Sequence, residues 1–322
     1  MRVGRWLGLP AMYVAAQLVG LALANPFRSE GLATSGNPQN PAGPLVLVLV
    51  VVLAPLVILL FTRRQGGLVG LRHILLLGIV ASLYVTLYAT FALVPPGLLL
   101  LSPYAAGVAL EPALPFAAIA SAGIYLALLI EPQWYVVDLA GLAAGGSLIA
   151  ILGISFGPLP AFVLLGALMV YDAIAVYRTK HMVTLADAVT EMKLPMLLVM
   201  PESAGFDYPS APPLRTQRKA PVGERAAMFM GLGDIVIPGT LVVSAFAWLP
   251  VSPVHLGLGA NLWMALGTML GSLVGYGFLM RRVATGQPQA GLPFLNGGAL
   301  VGYALAYLVL FRSFTLGLTG GL

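Results

Sequence analysis

Residues 158–177 read PLPAFVLLGALMVYDAIAVY, a stretch that is apolar throughout except for one carboxylate, Asp172. About twenty apolar residues make a helix long enough to cross the hydrocarbon core of a bilayer. An ionised group inside such a helix costs at least about 2.5–3.5 kcal/mol on insertion scales, so an acid there calls for a purpose. The next apolar stretch, Ala226–Leu249, carries a second acid at the end of Gly231-Leu232-Gly233-Asp234. Two intramembrane acids on consecutive spans decide both the fold and the search for function.

The rest of the chain agrees with a membrane setting. Of its 322 residues, 59% are hydrophobic and only 8% are charged, against about 25% charged in a soluble domain. Mean hydropathy is +0.96. This excludes an ordinary soluble enzyme, a disordered chain and a nucleic-acid-binding domain. The basic pI of about 9.6 rests on 16 Lys and Arg against 11 Asp and Glu, and is better read as a topology signal. No cysteine is present, so disulfides and thiol catalysis are excluded. The three histidines, His73, His181 and His255, are scattered in or near loops and suggest no metal site. No metal and no cofactor is expected.

Working outward gives nine candidate spans in an all-α polytopic protein. They are Trp6–Asn25, Pro44–Thr62, Ile74–Val94, Ala113–Ile130, Trp134–Ile154, Pro158–Tyr177, Ala226–Leu249, Gly259–Met280 and Gly291–Phe311. The proline-rich stretch Pro95–Pro115 is a candidate re-entrant or interfacial piece. The first span has a basic start, Arg2 and Arg5, and an Ala22-Leu23-Ala24 end, like a cleavable signal peptide. Its apolar run exceeds the usual 7–15 residues of such peptides, so a retained helix is expected.

With a cytoplasmic N-terminus, 14 basic residues fall inside and only Arg28 and Arg312 outside, which accounts for all 16. That split follows the positive-inside rule and puts the C-terminus outside. The inside loop Arg178–Glu224 stands apart. It opens with an amphipathic stretch, Val183–Met192, continues as the apolar run Met196–Met200 ending at Pro201, and closes with a polar tract, Pro209–Glu224, that reads as flexible. It divides the chain into a six-span part, 1–177, the loop 178–224, and a three-span part, 225–322.

Three acids lie within the spans. Asp138 is close to the cytoplasmic end of its span and reads as interfacial, meeting water or starting a helix. Asp172 lies six residues before Arg178, about 9 Å deep at 1.5 Å per residue, and Asp234 nine residues after Arg225, about 13 Å deep. The two therefore sit at similar depth on antiparallel neighbours, with no Lys or Arg expected at that level. Two carboxylates that share a site cannot both ionise cheaply, so the pair holds one proton between them. One acid can then activate water while the other polarises a carbonyl, the chemistry of an aspartic protease. If each Asp merely cemented helix packing, Asn or Ser would serve at lower cost.

Tyr171-Asp172 and Gly231-Leu232-Gly233-Asp234, on adjacent spans with a long cytoplasmic loop between them, resemble the two active-site motifs of the GxGD intramembrane aspartyl proteases. The resemblance is strongest to presenilins, and among them to archaeal homologues. It extends through Ala173-Ile174-Ala175-Val176-Tyr177 and Thr179-Lys180-His181-Met182, and to the span number and loop position. The orientation separates the chain from signal peptide peptidases, which carry the same motifs inverted in the membrane. The resemblance implies catalysis by Asp172 and Asp234, with Tyr171, Gly231, Leu232 and Gly233 beside the substrate. A third family motif, Pro-Ala-Leu at the start of the last span, matches Pro293-Phe294-Leu295, with Phe294 where Ala would stand. It implies that Pro293 and Leu295 help receive the substrate.

The sequence thus points to hydrolysis of peptide bonds within the transmembrane helices of other membrane proteins. A proton- or cation-coupled transporter or leak channel would use the same acid pair, but no internal repeat supports it. A prepilin-type peptidase also carries Gly-x-Gly-Asp, yet Val236 stands where it would have Lys. A non-catalytic scaffold would leave the acids unexplained. Substrate helices and the lipid bilayer are the expected partners, without nucleic acid. Nothing in the sequence calls for accessory subunits, and a homo-oligomer is left open. The Met196–Met200 and Leu292–Leu295 runs are expected to offer extended edges to an unwound substrate. Gly267, Gly271 and Gly275, and Gly298 and Gly302, read as seams for close helix packing. Trp6, Trp134, Tyr135 and Trp248 read as interfacial anchors.

Overall fold

The computed structural model describes residues 4–62, 67–92, 113–179, 194–203, 205–211, 226–283 and 289–318. Among these residues nine helices follow the nine candidate spans. They are α1 (Gly4–Ser29), α2 (Ala42–Thr62), α3 (Gly67–Ala92), α4 (Ala113–Ile130), α5 (Trp134–Ser155), α6 (Pro158–Ile174), α7 (Gly233–Trp248), α8 (Ala260–Val283) and α9 (Leu292–Phe311). Seven are long and apolar enough to cross a membrane, and α7 and the described part of α2, Ala42–Ala54, are shorter apolar helices. Most of Pro95–Pro115, all of Val183–Met192 and residues 212–224 of the polar tract lie outside the described residues.

The centre of the bundle is α5. It is apolar around its whole circumference and two-thirds buried, which marks a helix with neighbours on every side. Its glycines admit those neighbours. A methyl at Gly145 would lie 2.8 Å from Leu232 of α7's leader, and methyls at Gly146 and Gly153 would collide with Val19 of α1 and Val243 of α7. At the far side of the bundle, α8 and α9 touch backbone to backbone. A methyl at Gly302 would lie 2.7 Å from the Gly271 Cα and 3.1 Å from its nitrogen. The seam expected from small-xxx-small spacing is therefore a real helix contact.

Two departures from the expected all-helical pattern bear on function. The run Met196–Met200, expected to be extended, falls largely in strand β1 (Leu197–Pro201), but Ala227–Gly231, expected to be helical, forms strand β2, paired antiparallel with Leu197 opposite Gly231 and Pro201 opposite Ala227. The seventh span therefore starts as a strand rather than a helix, and α7 begins only at Gly233. Five residues of strand reach about 16 Å where five of helix reach about 7.5 Å, so helical rise misjudges the depth of Asp234. Conversely, Leu292–Leu295, expected to be extended, is the first turn of α9 with Pro293 near its start. That suits a proline, whose missing N–H would find no intrahelical partner there. A second, minimal hairpin joins β3 (Val254–His255) to β4 (Leu258–Gly259) ahead of α8.

Candidate active site

Asp172 sits in the last turn of α6, which opens directly into a π-helical turn, Ala175–Thr179. The Ala175 N–H reaches the carbonyls of both Asp172 and Tyr171. Single π turns of this kind recur at functional sites, where they re-aim side chains. Asp172 is buried and faces the start of α9. The Leu292 N–H donates to its Oδ2 at 3.0 Å, and the Gly291 N–H is turned to the same carboxylate. These amides belong to the first turn of a helix, where N–H groups lack intrahelical acceptors. Pro293 extends the arrangement by having no N–H to place.

Asp234 enters from the other side. It is in the first turn of α7, immediately after β2. Pro238, four residues on, has no N–H to give the Asp234 carbonyl. Two glycines enclose the carboxylate. A methyl at Gly291 would stand 3.1 Å from Oδ2 and 3.2 Å from Cγ and Oδ1, and one at Gly231 would stand 3.3 Å from Oδ2. Gly291 therefore lies between the two acids, with its amide on Asp172 and its α-carbon against Asp234. The carboxylates are near enough to interact electrostatically. The two acids expected to face each other from span depth do converge, although a strand rather than a helical half-span leads to Asp234.

The other expected site residues divide. Gly231 ends β2 with its open face on Asp234, so it clears room for the carboxylate. Gly233 is exposed, with open space where a side chain would be. Leu232 turns away from the acids onto Gly145 of α5 and seats the loop. Tyr171 is partly buried, packed on the cluster that holds Leu165, Leu168 and Leu292. Leu295 is wholly buried, while Pro293 and Phe294 are partly exposed and line an open apolar groove of about 960 Å³ between α8 and α9.

Asp138 is not interfacial. It is 3% exposed, and its Oδ1 accepts the Val199 N–H of β1 at 2.7 Å. The strand comes from a loop about sixty residues away and covers it. Tyr208, in the same loop, is also wholly buried. Its hydroxyl titrates above the ordinary tyrosine range, first because it is buried and then because the Asp138 charge is near. Asp138 thus pegs the β1–β2 sheet to α5. Three further side chains, Tyr177, Gln289 and Asn296, tie α6 and the π turn after it to α9 and the segment before it, and sequence reasoning did not single them out as site residues. The Tyr177 hydroxyl donates to Gln289 Oε1 at 3.1 Å and accepts the Ala290 N–H at 3.3 Å. The Asn296 amide donates to the Leu165 carbonyl at 3.1 Å.

A family model described as signal-peptide peptidase, presenilin aspartyl protease matches residues 10–312. The chain belongs to that family. Two solved structures of presenilin-family intramembrane aspartate proteases, in space groups C222 and P2, share its fold. They are 30% and 31% identical, with TM-scores of 0.64 and 0.62. Each comparison covers 94% of this chain, and 98% and 97% of the respective structures. No curated protein sequence matches. The chain is therefore an integral multi-pass membrane protein and an intramembrane aspartyl protease, and its substrates are membrane proteins in a bilayer. The transporter reading gives way to proteolysis.

Proposed function

We propose that Asp172 and Asp234 together hydrolyse a peptide bond within a transmembrane helix of another membrane protein. The observation that supports this is their convergence from α6 and α7 on the single backbone position Gly291. The ionised acid takes a proton from water as its oxygen attacks the carbonyl carbon. The protonated partner bonds the carbonyl oxygen, and the amide nitrogen leaves with a proton as the C–N bond breaks. The pair acts as a unit, so the base is not assigned to one residue.

A substrate helix must unwind before its carbonyl is accessible, and its freed backbone groups then need partners. The hairpin offers them along β2. Glu202 N–H bonds the Ala226 carbonyl and Leu232 N–H the Met196 carbonyl. With that register, Leu197, Val199 and Pro201 point away from β2, and Ala227, Phe229 and Gly231 point away from β1. Asp138 occupies the Val199 N–H and Pro201 has none. The edge left for a substrate strand is β2, which leads straight to Asp234.

The six-span part, 1–177, supplies Asp172. The three-span part, 225–322, supplies Asp234, and the loop 178–224 supplies β1. The charge split supports a cytoplasmic N-terminus and hairpin and an outside C-terminus, across nine spans. The chain works without accessory subunits. The test is cleavage of a single-span substrate by the purified protein in lipid, with Asp172→Ala and Asp234→Ala alongside. Mid-span products that disappear in both variants are expected. A folded single variant that still cleaves refutes the assignment.

A further inference from the structure

Hydrolysis consumes a water molecule for every bond cut, and the acids lie within a bilayer-spanning bundle. Helix α7 packs against α1 and α8, and those two helices carry a polar cluster, within electrostatic reach of Asp234, that the mechanism above does not use. Tyr13 and Gln17 are one turn apart on α1, and both are wholly buried inside its apolar span. Ser272 and Tyr276 are one turn apart on α8, also buried. Residues four apart share a helix face. The two pairs meet, with the Tyr13 and Tyr276 rings 5.9 Å apart. The Tyr13 hydroxyl lies beside the Ser272 and Gln17 side chains and within electrostatic reach of Asp234.

Their bonding is incomplete. Tyr13 Oη is in side-chain hydrogen-bonding range of Ser272 and Gln17, but Tyr13 Oη, Gln17 Oε1 and Gln17 Nε2, all buried, make no well-formed hydrogen bond. Ser272 Oγ gives its proton to the Met269 carbonyl at 2.8 Å, which leaves its lone pairs able to accept. The surroundings are otherwise apolar, with Leu9, Leu232, Ile235, Leu279 and Leu295 in the same cluster. Three buried polar atoms at one level of a membrane bundle each cost about 1–3 kcal/mol if left unbonded. A buried water makes two to four hydrogen bonds, and hydroxyl, amide oxygen, amide nitrogen and serine lone pairs offer that set. A dry helix contact would be served more cheaply by Phe, Leu and Ala.

We propose that Tyr13, Gln17 and Ser272 form a water-binding site next to Asp234, from which the hydrolytic water is supplied. The second half rests on the proteolytic assignment, and the first does not. Tyr13 and Gln17 are positioning residues here, acting through the water they hold.

Radiolytic hydroxyl-radical labelling of the full chain in lipid nanodiscs, read by mass spectrometry, tests both halves. Radicals formed from a bound water modify the side chain against it. Tyr303 is the dry reference, being wholly buried with its hydroxyl on the Leu316 carbonyl at 3.0 Å. Tyr135, 58% exposed, is the wet reference. Tyr13 is expected to label several-fold faster than Tyr303 and to fall to its level in Gln17→Leu. That variant is expected to cleave about tenfold more slowly at unchanged KM, the effect of about one lost hydrogen bond to the reacting water. If Gln17→Leu does not fold, Ser272→Ala is read in the same way. Tyr13 as silent as Tyr303 in folded wild-type protein overturns the site. A labelled Tyr13 with full-rate cleavage by the folded, dry variant overturns the supply role. Labelling needs no turnover, so failure of the proteolytic assignment shows separately, as wild-type protein that labels but does not cleave, and removes the supply role with it.

Discussion

Gly291→Ala separates catalysis from folding more sharply than any change to the acids. Gly291 has φ −78° and ψ −46°, a helical conformation that alanine adopts without strain. Backbone geometry therefore does not oppose the substitution, and a less flexible unfolded chain favours it by about 0.4–1 kcal/mol. What opposes it is the new methyl, 3.1 Å from Asp234 Oδ2 and 3.2 Å from Cγ and Oδ1. The carboxylate must give by a few tenths of an ångström, and the open face of Gly231 leaves it that room. A rotamer pushed by that much costs about 0.5–1.5 kcal/mol. The two effects nearly cancel, so the thermal midpoint stays close to wild type. Activity does not share the cancellation. A 1 Å misplacement of reacting groups costs about 100-fold, so a displacement near half that predicts a kcat loss of about tenfold. Initial rates on a single-span substrate in lipid, with thermal unfolding of the same preparation, measure both. Gly166→Ala on α6, where the added methyl meets open space, is the control and should cleave like wild type. Full activity in Gly291→Ala would refute the placement of Gly291 between the acids.

Asp138→Ala should lower stability by about 1–3 kcal/mol by stranding the Val199 N–H, with much of it restored by Asn, which keeps the acceptor; equal melting of Ala and wild type would count against the peg. Gly302→Ala forces α9 off the Gly271 backbone and should cost about 1–3 kcal/mol in thermal unfolding, with no loss disproving the contact. Cleavage rate against pH should be bell-shaped, because the pair needs one carboxylate ionised and one protonated. Below the bell no base remains and above it no acid does; a rate that climbs steadily into alkaline pH would exclude a two-acid mechanism. Phe229→Pro removes an outward N–H of β2 and leaves the β1–β2 bonds alone, so it should raise KM or stop cleavage while Phe229→Ala, which removes the ring only, is milder; equal kinetics for the two would argue against strand addition on that edge.

What the sequence disclosed and what it hid have physical reasons. Span lengths, charge asymmetry and the Tyr171-Asp172 and Gly231–Asp234 pairs are one-dimensional properties, and the helices and the meeting of the acids follow from them. The strand Ala227–Gly231 was illegible because a short buried apolar run has no period to separate strand from helix. Its partner, Leu197–Pro201, is apolar and ends in proline, which was a usable hint of an extended segment. Asp138 looked interfacial because position along a helix says nothing about a distant loop folding over it. Gly291 was only a span boundary in the sequence. Its role comes from two side chains that converge on it from α6 and α7, and no local pattern encodes that.

The hairpin answers a problem that a longer α7 could not. A helix keeps its backbone groups for itself, so an unwound substrate beside it would have nothing to bond in a medium without water. Strand β2 holds three residues whose N–H and C=O groups face away from β1, and no third strand lies on that side among the described residues. Left alone, that edge is a cost to the protease; when a substrate strand adds, the same groups replace the helical bonds the substrate has given up. Because β2 runs into Gly231 and then Asp234 within three residues, the paired substrate strand is aimed at the acids by the ladder itself. Asp138 and Pro201 complete the logic on the other edge: with the Val199 N–H taken and the Pro201 N–H missing, the proposed pairing would fall on the β2 side, which leads to Asp234.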